Sequence, residues 1–97
     1  MNYEFKTTFW TDFSIADRFG EKAIKDTFRR AFDEWKNDVV YLTELVLVLN
    51  WKAWENFDKG KSFDYCSLYT DLYYKAHDYA LDHLKGDDLT YYLNTTD

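Results

Sequence analysis

The sequence predicts an all-α domain: a small antiparallel bundle of three main helices, with short helical pieces toward both ends and an extended N-terminal arm. Three observations lead there. The chain has no proline and only 3 glycines in 97 residues, so little inside its long segments forces a break. Apolar residues recur at three- and four-residue spacing through most of the chain. Gly20, Gly60 and Gly86 each follow such a segment, where a left-handed residue suits the position just past a helix end.

The elements can be justified in order. Tyr3, Phe5 and Phe9 alternate with polar residues and read as an extended arm laid over the helices. No second convincing strand exists to pair with it. Thr11 or Asp12 suits the cap of a short helical piece over 12–19. Residues 21–37 form the clearest amphipathic helix. At 100° per residue, Ile24, Thr27, Phe28, Ala31 and Trp35 share a face, while Lys22, Lys25, Arg29 and Lys36 fall on one flank.

Asp38 suits the cap of the next helix, 39–58. Its face is Leu42, Leu45, Val46, Leu49, Ala53 and Phe57, and Val40, Leu47, Val48 and Trp51 lie round the back. A helix apolar on most sides is central in its bundle. Val39-Val-Tyr-Leu and Leu45-Val-Leu-Val-Leu are also β-friendly, but Glu44, Asn50 and Lys52 space better on a helix. Ser62 suits the cap of a long helix over 63–85, with Tyr65, Leu68, Tyr69, Leu72, Tyr73, Ala76, Tyr79 and Ala80 on one broad face. Tyr74 and Leu81 point the other way. Asp87 suits the start of a terminal piece over 87–93 holding Leu89, Tyr92 and Leu93. The expected core includes Phe28, Trp35, Leu45, Leu49, Leu72 and Ala76.

Length and composition bound the rest. A chain of this size is one domain with a modest core. It nevertheless carries 4 Trp, 9 Tyr and 8 Phe, more than one small core hides, so some should be exposed for recognition. The spare apolar side of 39–58, with Tyr74 and Leu81, implies covering by the termini or a homodimer. Net charge is −6, unevenly spread. Residues 1–61 hold 10 Lys/Arg against 11 Asp/Glu, whereas 62–97 hold Lys75 and Lys85 against seven acids. That balance disfavours nucleic acid, whose phosphates dominate binding, and suits a basic protein partner. Cys66 is the single cysteine, which fits a reducing cytoplasm. Met1–Asp12 has no basic start followed by an apolar stretch, and Leu45–Leu49 is too short to span a bilayer.

No catalytic or metal signature emerges, and no cofactor is implied. His77 and His83 lie six apart, about 120° round a helix, so they do not share a site as an i, i+4 pair would. His83 falls near a helix end, where it can bond a free carbonyl. Cys66 sits in the first turns of a helix, a position that can activate a thiol, but neighbouring Asp64 opposes that shift. No phosphate-cradling loop or nucleophile elbow appears. The sequon Asn94-Thr-Thr96 has no secretory signal to accompany it.

One pattern suggests recognition. Asp64, Asp71, Asp78 and Asp82 form a stripe along about 27 Å of helix at 1.5 Å per residue. It could imitate a phosphate track and occupy a basic DNA-binding groove, with Tyr74 and Tyr91 as anchors. It could equally be a solvated face holding an Asp71–Lys75 pair. The alternative site is the basic flank Lys22, Lys25, Arg29 and Lys36, touching phosphates.

Thr8-Phe-Trp-Thr-Asp-Phe-Ser-Ile-Ala-Asp-Arg-Phe-Gly20, Glu44-Leu-Val-Leu-Val-Leu-Asn-Trp-Lys52 and Leu84-Lys-Gly-Asp-Asp-Leu-Thr-Tyr-Tyr-Leu-Asn-Thr-Thr-Asp97 resemble a family of small accessory proteins carried on conjugative and integrative mobile elements of gut bacteria. The resemblance covers nearly the whole chain and carries no catalytic residues across. It implies a context in which small acidic proteins help the element establish itself, sometimes by blocking host restriction or CRISPR nucleases. The expectation is therefore a non-enzymatic protein-interaction module, an inhibitor of a host nuclease in its sharpest form. A nucleic-acid-binding accessory protein and a structural helper are the alternatives.

Overall fold

The computed structural model of the protein describes residues 4–58 and 63–96, without the side chains of Asp58, Phe63 and Asp64. Five helices follow one another: α1 Phe9–Ala16, α2 Glu21–Trp35, α3 Val39–Asp58, α4 Phe63–His83 and α5 Gly86–Thr96. There is no strand among the described residues. The fold is all-α and compact, with a radius of gyration of 12.9 Å.

Helix α1 starts three residues before the expected 12–19. Phe9, Phe13 and Ala16 are buried, and their i, i+4, i+7 spacing rewards extending the helix back to Phe9. Thr11 and Asp12 therefore lie inside it. Thr8 occupies the cap position, and its hydroxyl donates to the Asp12 carboxylate at 2.9 Å rather than accepting from a backbone N–H. Gly20 both closes the turn after α1, its N–H donating to the Ala16 carbonyl at 3.2 Å, and opens α2. Its φ of 104° and ψ of −174° lie in a region that glycine alone enters readily. Its carbonyl accepts the Ile24 N–H at 3.2 Å. Gly86 has φ 60° and begins α5, which puts Asp87 and Asp88 in the first turn, against the positive end of the helix dipole. Asp38 caps α3 as expected, accepting the Tyr41 N–H at 3.1 Å. Gly60 and Ser62 lie outside the described residues.

Helix α3 contacts each of the other four helices, most extensively α4. Every residue from Leu42 to Leu49 is buried. The β-friendly run is thus helical, because its side chains find apolar neighbours in all directions. Its spare face is covered within the chain: Leu47 and Val48 are buried, Val40 and Trp51 half-buried, and Phe5 packs edge-on against Trp51 at 5.6 Å. Leu45, Leu49, Phe28, Leu72 and Ala76 are core residues. Trp35 is not; as the last residue of α2 it is half-buried and leans on Tyr41 with ring centroids 4.1 Å apart. Phe57 departs further and is 61% exposed.

Two of the three polar residues that marked α3 as helical are interior. Lys52, 1% exposed, pairs with Asp17 at 2.5 Å and Glu55 at 3.5 Å. Its ammonium also reaches Ser14 Oγ at 3.4 Å and lies over the Trp10 ring at 5.0 Å. The buried Tyr69 hydroxyl donates to Asp17, which ties α4 into the same cluster. Burial, and then the Asp17 carboxylate, push the Tyr69 phenol well above its ordinary pKa. Glu44 is fully buried and accepts from the Lys6 N–H at 3.0 Å, the Thr7 N–H at 2.8 Å and the Thr7 hydroxyl at 2.6 Å. Among the described residues no buried side-chain polar atom lacks a partner, so these groups hold the interior together rather than strain it.

Candidate protein-interaction surface

The face of α4 opposite its core side carries most of what the sequence singled out. Buried Leu68, Tyr69, Leu72, Ala76 and Ala80 set the inward direction. By the 100° rule Tyr74 and Leu81 then point directly outward, and they are 54% and 45% exposed. Asp71, Asp78 and Asp82 run beside them, all exposed. Asp64 belongs to the stripe by spacing, but its side chain lies outside the described residues.

Asp71, Tyr74 and Asp78 line a groove of about 880 Å³ between α2 and α4, and Lys25, Arg29 and Lys75 line it too. The acidic and basic candidates thus share one groove, so the stripe is not a uniform imitation of a phosphate track. The Asp71–Lys75 pair that the solvated-face alternative would hold does not form among the described residues. Asp82 and Tyr91 are not part of the groove lining. Tyr91 is half-buried on α5.

The basic flank is largely engaged on its own helix. Lys22 pairs with Asp26 at 2.9 Å, Lys25 with Glu21 at 2.8 Å and Arg29 with Asp26 at 3.3 Å. The Lys22 hydrogen bond holds the Asp26 carboxyl below the usual carboxylate range. Lys36 lies 5.7 Å from the Phe32 ring centroid and 5.9 Å from that of Tyr79. A phosphate would have to displace these partners.

On the other side of Tyr74 lies an aromatic trough of about 310 Å³ at the α3/α4 seam. It is lined by Ala53, Trp54, Phe57, Cys66, Tyr73 and Tyr74, with Asn50 and Thr70. Trp54 is 57% exposed and meets Phe57 edge-on at 6.0 Å. Tyr73 and Tyr74 pack edge-on at 5.1 Å. Sequence reasoning missed Trp54 and placed Phe57 on the apolar face of the 39–58 helix. The available signal was weak: both stand in the last two turns of α3. Helical periodicity reports the direction of a side chain, not how far its neighbour extends.

Cys66 is half-exposed in the trough, and no histidine lines it. The two histidines are occupied elsewhere. His77 Nδ1 shares a 2.5 Å hydrogen bond with the hydroxyl of buried Tyr92, and its ring stacks on Tyr73 at 5.4 Å. His83 Nδ1 donates to the Tyr79 carbonyl at 2.9 Å, the helix-end bond expected of it. No group of three or more potential metal ligands occurs among the described residues. Nor is any helix among them long and apolar enough to cross a membrane.

This geometry defines a class rather than a relative: an all-helical domain that presents exposed aromatic rings beside acidic side chains. The chain matches no family model, no curated protein and no solved structure at a significant level.

Proposed function

We propose that this chain is a non-enzymatic protein-interaction module that docks a basic protein partner on the outward face of α4. One observation carries the reading: Tyr74 stands exposed between the carboxylates of Asp71 and Asp78 on one side and the exposed Trp54–Phe57 pair on the other. Binding energy at protein interfaces concentrates in such aromatic anchors, while surrounding charge sets partner choice and encounter rate. In its specific form the proposal follows the resemblance to mobile-element accessory proteins. The module then works in the host cytoplasm, and the partner is a host defence nuclease of restriction or CRISPR type whose basic DNA groove is blocked. The same reading takes α2, α3 and α4 as an antiparallel three-helix bundle with residues 4–8 as an arm over it, supported by the short connection at 36–38 and the wide α3–α4 contact.

The nucleic-acid alternative is disfavoured by the pairing of Lys22, Lys25 and Arg29 with acids of α2. A homodimer through Leu47 and Val48 is disfavoured by their burial within the chain.

Affinity capture from host lysate tests the reading when the parent is compared with a variant carrying Asp→Asn at 64, 71, 78 and 82 and with Tyr74→Ala. A partner held by the parent should be lost from both. Direct titration of that partner should show weaker, flatter salt dependence for the Asn variant. Equal binding of parent and Asn variant at low salt would reduce the stripe to a solvated face.

A further inference from the structure

The trough and the carboxylates have a directional arrangement that says what kind of element fits them. Along α4, the wall residues Cys66, Thr70, Tyr73 and Tyr74 follow at three- and four-residue steps, so the trough runs beside the helix rather than across it. Trp54 and Phe57 close its other side from α3. Asp71, Asp78 and Asp82 border it on the α4 side, beyond Tyr74. All three are exposed, and none is in an ion pair among the described residues. Lys75 is the one lysine or arginine of α4; Lys25 and Arg29, which face Asp71 and Asp78 from α2, are paired with Glu21 and Asp26, so a net negative rim remains.

We infer that the trough seats an amphipathic helix of the partner: an apolar stripe enters between Trp54 and Tyr74, and lysines or arginines on one flank meet Asp71, Asp78 and Asp82. This rests on the docking face proposed above and specifies what docks there. Two arguments select a helix. The described elements are all helices, whose backbone groups are satisfied internally, so no sheet edge is offered to an extended peptide. A groove between two helices instead takes side chains spaced i, i+3, i+4 and i+7. The rim then selects charge. From Asp71 to Asp82 it runs about 16 Å, or three turns, so a helix of three or more turns with cations at matching spacing satisfies all three carboxylates at once. A like-charged helix in the same groove is repelled.

The test uses the full chain and a synthetic helical peptide of about 18 residues with leucines on one stripe and lysines on one flank. Two control peptides accompany it: a scramble of identical composition, and the same stripe with glutamates replacing the lysines. Fluorescence anisotropy of labelled peptide gives affinity at about 50 mM and about 500 mM salt. The stripe peptide should bind, and both controls should bind at least about tenfold more weakly. Trp54→Ala and Tyr74→Ala should each weaken the stripe peptide by about tenfold or more. Asp→Asn at 71, 78 and 82 should weaken it at low salt and leave little change at high salt. These five positions are exposed, and unchanged circular dichroism melting will show that the variants still fold.

Equal binding of the scramble, or indifference to Trp54→Ala and Tyr74→Ala, overturns the inference, since charge alone would then explain association. Concentration-dependent dimerisation of the chain alone, abolished by Trp54→Ala, overturns it in favour of a second copy as occupant. If a lysate partner is captured through the Asp stripe while the stripe peptide fails, the docking face stands and the helical occupant does not.

Discussion

Lys52 shows how a single residue can reverse its expected role. A lysine on a helix is normally solvated, yet here Asp17, Glu55, Ser14 and the rings of Trp10 and Tyr69 enclose it. Replacing it by Met keeps the approximate volume but removes the ammonium that pairs with Asp17. Loss of one partner from a buried pair costs about 3–5 kcal/mol. Urea unfolding of Lys52→Met should show a loss of that order, and a change below about 1 kcal/mol would mean that the acids find other partners or water. Phe57 is the opposite case, a large apolar residue on the apolar side of α3 that is nevertheless 61% exposed. Neither outcome is encoded in the residue itself. Both depend on what stands opposite.

At the scale of the element, α3 is the organiser. Its run from Leu42 to Leu49 is buried at every position, so no position in it is a spectator. Leu49 is fully buried, and Leu49→Ala should lower unfolding stability by about 2–5 kcal/mol, through lost burial and the cavity left behind. A loss under about 1 kcal/mol on denaturant unfolding would show that the centre of α3 is loosely packed. The ends of elements behave differently. Caps at Asp38 and the positive-φ glycines at 20 and 86 were visible as residue types. Gly20 serves two helices at once, bonding back to Ala16 of α1 and capping α2, since a glycine marks an unusual backbone torsion and not a direction. Helix α1 begins at Phe9 rather than near 12 for a related reason. Phe9 fits an alternating arm but also lies four residues before Phe13, and burial of both rings decides between the two periods.

For the molecule as a whole, the aromatic content has a measurable consequence at high pH. Burial pushes the Tyr69 and Tyr92 phenols above their ordinary value near 10, helped at Tyr69 by Asp17 and at Tyr92 by Tyr73 and Asp78. In the unfolded chain both ionise near pH 10. A folded pKa raised above the unfolded one contributes stability that is intact below pH about 10 and is lost as pH rises from there. Each such tyrosine can then steepen the decline by up to about 1.4 kcal/mol per pH unit. Denaturant unfolding between pH about 8 and 11 should therefore show a plateau followed by a fall, and Tyr92→Phe should make that fall shallower. A flat profile to pH about 11 would mean that these hydroxyls ionise as readily folded as unfolded. The same surplus of rings fills the core and leaves Trp54, Phe57 and Tyr74 on the surface beside the acidic side of α4.

The sequence by itself determined the all-helical class, the approximate span of α2, α3 and α4, and most of the core, because each rests on local periodicity and on the absence of proline. It also showed the stripe Asp71, Asp78 and Asp82, since helical spacing places those carboxylates on one side whatever surrounds them. Only the tertiary structure decided that Lys25 and Arg29 face Asp71 and Asp78 across a groove, that Glu44 and Lys52 are interior, and that Trp54 and Phe57 join Tyr74 in one trough. These facts depend on which residues from distant segments meet. A 100° repeat fixes the angle of a side chain about its own axis, but the neighbour it meets is set by how the helices pack.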